Sequence, residues 1–203
     1  MLKRLTDVRL IAGFFFAHLL YFLTFQDKNV FWYIFTASML FLITYAILNE
    51  EIDDEAPFLT YVSYGALSGI SLFVLFWVGN SMLDLLNLPF SKQIDSLYNR
   101  LSPSVLWHYI VLLLVIIPGE EIFWRGFIQK RLSSYVNGWT SIVISALLYA
   151  SVHLYSGTFM LPFAALIAGL LWGWLYTWKK SIPLLIVSHL IFDLFLFVIF
   201  PFS

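Results

Sequence analysis

The sequence contains no cysteine. That absence removes disulfides, thiolate nucleophiles and thiolate-ligated zinc from consideration, and it leaves the redox character of the compartment open. Charge is also scarce, at 11% of 203 residues with a net charge of −1. There is no basic tail and no interleaving of aromatic with basic side chains, so nucleic acid is not an expected partner. Internal repeats, low-complexity stretches and glycine-rich phosphate loops are missing as well. What is plentiful is apolar surface: 61% of residues are hydrophobic and 20% aromatic. A soluble domain of this length cannot bury so much. The expected fold is all-α, a polytopic membrane helix bundle forming one transmembrane domain over residues 1–203, with the lipid bilayer as its first partner.

About 20 apolar residues cross about 30 Å of hydrocarbon. Seven runs qualify, at 10–25, 30–48, 58–78, 105–128, 139–154, 158–178 and 182–202. Because such runs recur along the whole chain, the first reads as a span and not as a cleaved signal peptide. With the N-terminus inside, Lys3, Arg4, Arg9, Arg125, Lys130, Arg131, Lys179 and Lys180 fall on the cytoplasmic half. Lys28, Lys92 and Arg100 fall outside, which satisfies the positive-inside rule. The acidic loop Glu50, Glu51, Asp53, Asp54 and Glu55 also lies inside, where acidic residues carry little weight in that rule. A bacterial plasma membrane is the expected location, since the short chain shows no eukaryotic targeting signal. Between the third and fourth spans, Ile94, Leu97 and Leu101 recur at helical spacing opposite Lys92, Asp95, Asn99 and Arg100. This predicts an interfacial helix on the outer surface. Gly65 and Gly69 form a GxxxG pattern that suits close helix packing or dimerisation.

The fourth span carries Pro118-Gly119-Glu120-Glu121 and, four residues on, Arg125. The stretch from Val105 to Ile117 covers only about 20 Å of helix, so the helix must continue past both carboxylates. Glu120 then sits about 8 Å below the cytoplasmic face, where an unpaired carboxylate is costly and marks function. Glu121 and Arg125 share a helical face and are expected to pair, leaving Glu120 rotated about 100° away and free for other work. Pro118 removes the amide that would bond the Leu114 carbonyl, and Gly119 thins the helix beside it; together they predict a locally open backbone that admits water.

Two further motifs lie in apolar helices. Tyr149 precedes His153 by four residues in the fifth span, and His189 precedes Asp193 by four in the seventh. Counting the rise per residue from the loop at Asn137-Gly138 and from Pro183 puts His153 about 12 Å and His189 about 9 Å below the same face. All three motifs therefore share a level in the bilayer. His18 has no polar company in its span and reads as an ordinary interhelical hydrogen-bonder, and His108 as a residue near the outer interface. Trp172, Trp174 and Trp178 are expected to face lipid or the interfacial belt.

These residues resemble the CAAX protease and bacteriocin-processing family, also described as the Abi or type II CAAX prenyl endopeptidase family. Its motifs are EExxxR, FxxxH and HxxxN or HxxxD on separate membrane helices. Glu120-Glu121 with Arg125 matches the first, His153 the second, and His189 with Asp193 the third, over residues 105–203. Tyr149 stands where that family usually has phenylalanine, a conservative departure. The first three spans carry no recognisable signature.

The resemblance implies an intramembrane endopeptidase with no cofactor, acting on a protein or peptide substrate that is lipidated in some members. Carried over by position, Glu120 would be the general base and His153 its partner in polarising water. His189 would donate to the tetrahedral oxyanion. An ionised Asp193 only accepts, so either it is protonated or it holds His189 in its charged form, the second being favoured; Glu121 and Arg125 would keep the helix in register, with a direct catalytic part for Glu121 left open. Three rivals remain at this level. A zinc protease would use His153, His189 and Glu120, although no HExxH helix is present. A scaffold or self-immunity protein would keep its function without Glu120. A proton-coupled transporter would relay protons through the same groups, although no repeated half is visible.

Overall fold

The computed structural model describes residues 7–202, which leaves Lys3 and Arg4 outside the described residues. Eight helices follow one another. They are α1 (Val8–Gln26), α2 (Phe31–Asn49), α3 (Phe58–Leu85), α4 (Ser91–Leu101), α5 (Leu106–Leu132), α6 (Gly138–Ser156), α7 (Met160–Lys179) and α8 (Ile182–Ile199). All but α4 are long and apolar enough to cross a membrane, and the all-α membrane bundle expected from composition is what forms. The third span runs to Leu85, seven residues beyond the apolar run, through Gly79, Asn80 and Asp84.

Local chemistry sets the helix ends. The Asp7 carboxylate accepts from the Arg9 and Leu10 amides and caps α1. Asn137 does the same for Thr140 at the start of α6, as the Asn-Gly turn signal implied. Ser181 caps α8, with a proline in its first turn where no amide is needed. α6 tightens to a 3₁₀ turn from His153 and leaves it at Gly157, whose φ of 73° suits glycine.

α1 and α2 form one hairpin and α6 and α7 another; both pack on α5, and α3 packs along α8. The Gly65/Gly69 pattern works inside the chain. A Cβ at Gly65 would come within 2.8 Å of Val187, and one at Gly69 would meet the Ser188 carbonyl and Ile191. The pattern therefore lets α3 approach α8 closely, and Ser68 donates to Ser188 across the contact at 2.9 Å.

α5 departs from a plain helix. The Ile117 amide bonds the Leu112 carbonyl, and the turns Leu112–Ile116 and Ile122–Gln129 are both π-helical. Pro118 supplies no amide, and the ladder widens on either side of it. The backbone is locally open in that sense, while Gly119 itself is buried, with Ile43 and Met39 of α2 about 3.2 Å from where a Cβ would stand.

α4 is amphipathic as expected, with Lys92, Asp95, Asn99 and Arg100 exposed. Its apolar side is half-buried against the bundle, and Ile94, Leu97 and Leu101 line a partly open cavity. Gln93 accepts from the Phe159 amide at 2.9 Å, and the Tyr98 hydroxyl donates to the Leu196 carbonyl at 2.9 Å, so α4 is tied to both α7 and α8. Burial and the nearby Asp193 charge raise the Tyr98 phenol above its ordinary range, which keeps it a donor.

Candidate active site

The cavity beneath α4 has a volume of about 600 Å³ and walls that are overwhelmingly apolar. Its polar lining converges at one place, where Glu120, Tyr149, His153, His189 and Asp193 come together from α5, α6 and α8. The shared level inferred from helix rise is a true meeting point. His153 Nε2 lies 3.9 Å from Glu120 Oε1, and His189 Nε2 lies 3.9 Å from Glu120 Oε2. These separations exceed a direct hydrogen bond and suit a bridging water on either side of the carboxylate.

Glu120 is not free, as helical geometry alone implied. The Tyr21 hydroxyl donates to Oε1 at 2.6 Å and the Tyr149 hydroxyl donates to Oε2 at 2.9 Å. Tyr149, a conservative exchange for phenylalanine on paper, carries a hydroxyl that takes part in the site. Tyr21 was missed by the motifs altogether. A signal for it exists: Gly13, Ala17, Tyr21 and Thr24 form the buried stripe of α1. A tyrosine on a stripe of otherwise small residues must find a partner for its hydroxyl inside the bundle.

The two histidines are oriented by different partners. His153 Nδ1 lies 2.9 Å from the Tyr149 carbonyl, which only accepts, so Nδ1 carries the hydrogen and neutral His153 presents a lone pair at Nε2 toward Glu120. His189 Nδ1 lies 2.8 Å from Glu121 Oε1 and donates to it. Asp193 Oδ2 is 3.7 Å from His189 Nε2, within ion-pair range but longer than a hydrogen bond. The residue that holds His189 by hydrogen bond is therefore Glu121, and Asp193 faces the opposite nitrogen across a gap.

Glu121 and Arg125 pair at 3.2 Å as expected, with side-chain exposures of only 0% and 1%. A buried pair of this kind repays desolvation through further contacts. Arg125 finds them on the faces of Tyr149, 4.7 Å from its guanidinium carbon, and Trp172, 5.2 Å away. Trp172 is thus not a lipid-facing residue. It is buried, stacks on His189 with ring centroids 4.0 Å apart, and donates from Nε1 to Ser188 at 3.0 Å. Trp174 and Trp178 are exposed, in keeping with the belt expectation. A continuous support therefore runs from Ser68 through Ser188 and Trp172 to the ring of His189. His18 has polar company after all, with Tyr155 Oη at 2.9 Å and Ser151 Oγ at 3.2 Å. His108 stacks on Trp32 away from the cluster.

Residues 102–195 match the family model described as Type II CAAX prenyl endopeptidase Rce1-like. That segment is similar to the Rce1-like family. The matched residues run from α5 to α8, just under half of the chain, and include all three motifs that carried the resemblance. No curated protein and no solved structure matches the chain. Tyr21 lies outside the matched residues, as do the stretches of α1 to α3 that complete the cavity wall. Among the described residues, no group of three or more His, Cys, Asp or Glu side chains is disposed to hold a metal ion.

Proposed function

We propose that the chain is an intramembrane endopeptidase in which Glu120 and His153 activate a water molecule against a peptide carbonyl. The observation that carries this reading is the 3.9 Å separation of Glu120 Oε1 from His153 Nε2, with both atoms oriented by buried partners. A water in that gap donates one hydrogen to the carboxylate and one to the imidazole, which leaves an oxygen lone pair for attack. The new C–O bond forms as Glu120 takes a proton. The tetrahedral oxyanion is held by His189 in its imidazolium form, whose Nδ1–H is spent on Glu121 and whose Nε2–H is available. Collapse breaks the C–N bond, and the proton returns from Glu120 to the leaving amine. Asp193, 3.7 Å from His189 Nε2, and Glu121 supply the negative charge that favours the imidazolium.

The apolar cavity leading to these groups fits a substrate that presents an apolar segment beside its scissile bond. The peptide bond would lie near the cytoplasmic boundary, with the N-terminus of the chain on that side, as the distribution of Lys and Arg implies. The deciding experiment is cleavage of candidate membrane-anchored peptides by detergent-purified protein, with Glu120→Gln as the comparison. Loss of cleavage by a variant that unfolds at the wild-type temperature is expected, at about a hundredfold or more. Equal cleavage by the two removes Glu120 as the base. The same assay after exhaustive chelation is expected to show unchanged turnover; loss restored by added zinc would replace this mechanism with a metal-dependent one.

A further inference from the structure

The carboxylate of Glu120 has two oxygens, and each faces a different histidine. Oε1 looks toward His153 and Oε2 toward His189, both across 3.9 Å. If the carboxylate turned about its terminal bond, the two oxygens would exchange or leave these directions. A glutamate has three side-chain torsions, and the terminal one is broad, so burial alone does not hold the plane.

Two hydroxyls do hold it. Tyr21 donates to Oε1 from α1 and Tyr149 donates to Oε2 from α6, so the carboxylate is gripped from two helices at once. Each oxygen keeps a lone pair for water. The Tyr21 contact, at 2.6 Å, falls in the range of charge-assisted O–H···O⁻ bonds. The direction of that hydroxyl is itself set by packing. Tyr21 is fully buried, with its ring 5.6 Å from Phe35, 6.5 Å from Trp124 and 5.3 Å from His153. The ring that aims the hydroxyl at Glu120 also rests edge-on against the histidine that shares the water.

We infer that Tyr21, on the first helix and outside the Rce1-like segment, is a positioning residue for the general base, and that it works with Tyr149 as a two-point clamp on Glu120. The inference rests on Glu120 being the base. It assigns α1 a part in the chemistry. Tyr21 acts through Glu120 from behind the cavity wall, whereas Tyr149 lines the cavity.

The test uses Tyr21→Phe and Tyr149→Phe, which remove one oxygen each and keep the ring packing, measured as the full-length chain in detergent or nanodiscs. With the peptide cleaved by wild type, each variant is expected to lower kcat by about ten- to a hundredfold with KM within about twofold, and the double variant to fall further. In the Glu120→Gln background, Tyr21→Phe is expected to change the residual rate no further. Infrared spectra of isotopically labelled glutamate supply a readout independent of turnover. The carboxylate band that disappears in Glu120→Gln is expected to shift in Tyr21→Phe. A wild-type kcat in Tyr21→Phe, or an unmoved Glu120 band, overturns the clamp. A drop in kcat that persists undiminished in the Glu120→Gln background also overturns it, because Tyr21 would then act elsewhere. Should Glu120→Gln itself cleave normally while the band shift is present, the hydrogen bond stands and the underlying reading of Glu120 as the base fails.

Discussion

α5 carries two clusters of opposite charges, one turn and a half apart, and they differ in almost everything except composition. Glu121 and Arg125 are buried to within 1% of full enclosure, and their partners are aromatic faces and the His189 imidazole. Lys130 and Arg131 lie at the helix end and pair with acidic residues of the preceding loops. Lys130 binds Asp53 at 2.6 Å, and Arg131 binds Asp7 at 2.7 Å and Glu50 as well. This outer cluster is a clasp. The Asp53 carbonyl accepts from the Ile182 amide and the Glu55 amide donates to the Lys180 carbonyl, so the acidic loop is stitched to the turn between α7 and α8. The acidic loop, silent in the positive-inside rule, thus has a structural task. The comparison teaches that the environment, and not the pairing of signs, separates a site from a staple.

The largest effect that would sharpen this contrast is at Glu121. Glu121→Gln leaves Arg125 buried without its carboxylate and loosens His189. It is expected to destabilise the fold by about 3–5 kcal/mol, read from thermal unfolding in detergent, and to lower kcat as well. If the loss were as small as that of a surface pair, the two clusters would be energetically alike and the contrast would collapse.

A smaller effect is expected at the helix contact that supports Trp172. Gly69→Val drives a side chain into the Ser188 carbonyl and Ile191. It should destabilise by about 1–3 kcal/mol and reduce turnover by disturbing the Ser188–Trp172–His189 support. Gly79→Ala, at a position open to space, is the control and should be neutral or slightly stabilising.

The smallest effects belong to the clasp. Asp53→Asn should cost about 1 kcal/mol or less, diminish further in high salt, and leave kcat unchanged. Burial alone would raise Asp53, but hydrogen bonds from Lys130 and Tyr176 hold its carboxyl below the ordinary value of 3.8. Asp7, likewise raised by burial alone, is held below its ordinary value by Arg131, the Leu10 amide and Tyr135. Groups lowered in this way stabilise the fold fully above the unfolded value and lose that contribution as pH falls through the folded one. Wild-type stability should therefore decline below about pH 4, and in Asp53→Asn that decline should be shallower.

The candidate site was legible in the sequence to the extent that helix geometry is periodic. Glu120, Glu121, Arg125, His153, His189 and Asp193 stood out as rare polar groups in apolar helices, and rise per residue placed three of them at one depth. Tyr21 did not stand out, because a tyrosine in an apolar span satisfies both an aromatic and a polar reading. Trp172 was misassigned to lipid for a related reason: a tryptophan is equally at home against a bilayer and against an imidazole, and only its neighbours decide.

Composition and the period of apolar residues alone determined that this chain is a bundle of seven apolar helices with three polar motifs at a common level, since both follow from the cost of placing polar groups in hydrocarbon. The tertiary structure alone decided which face met which: that Glu121 takes His189, that α4 turns its apolar side onto the cavity, and that a hydroxyl from α1 reaches Glu120. Those outcomes depend on packing between helices distant in the chain, where hydrogen bonds of a few ångströms are set by rotations that a local pattern does not encode.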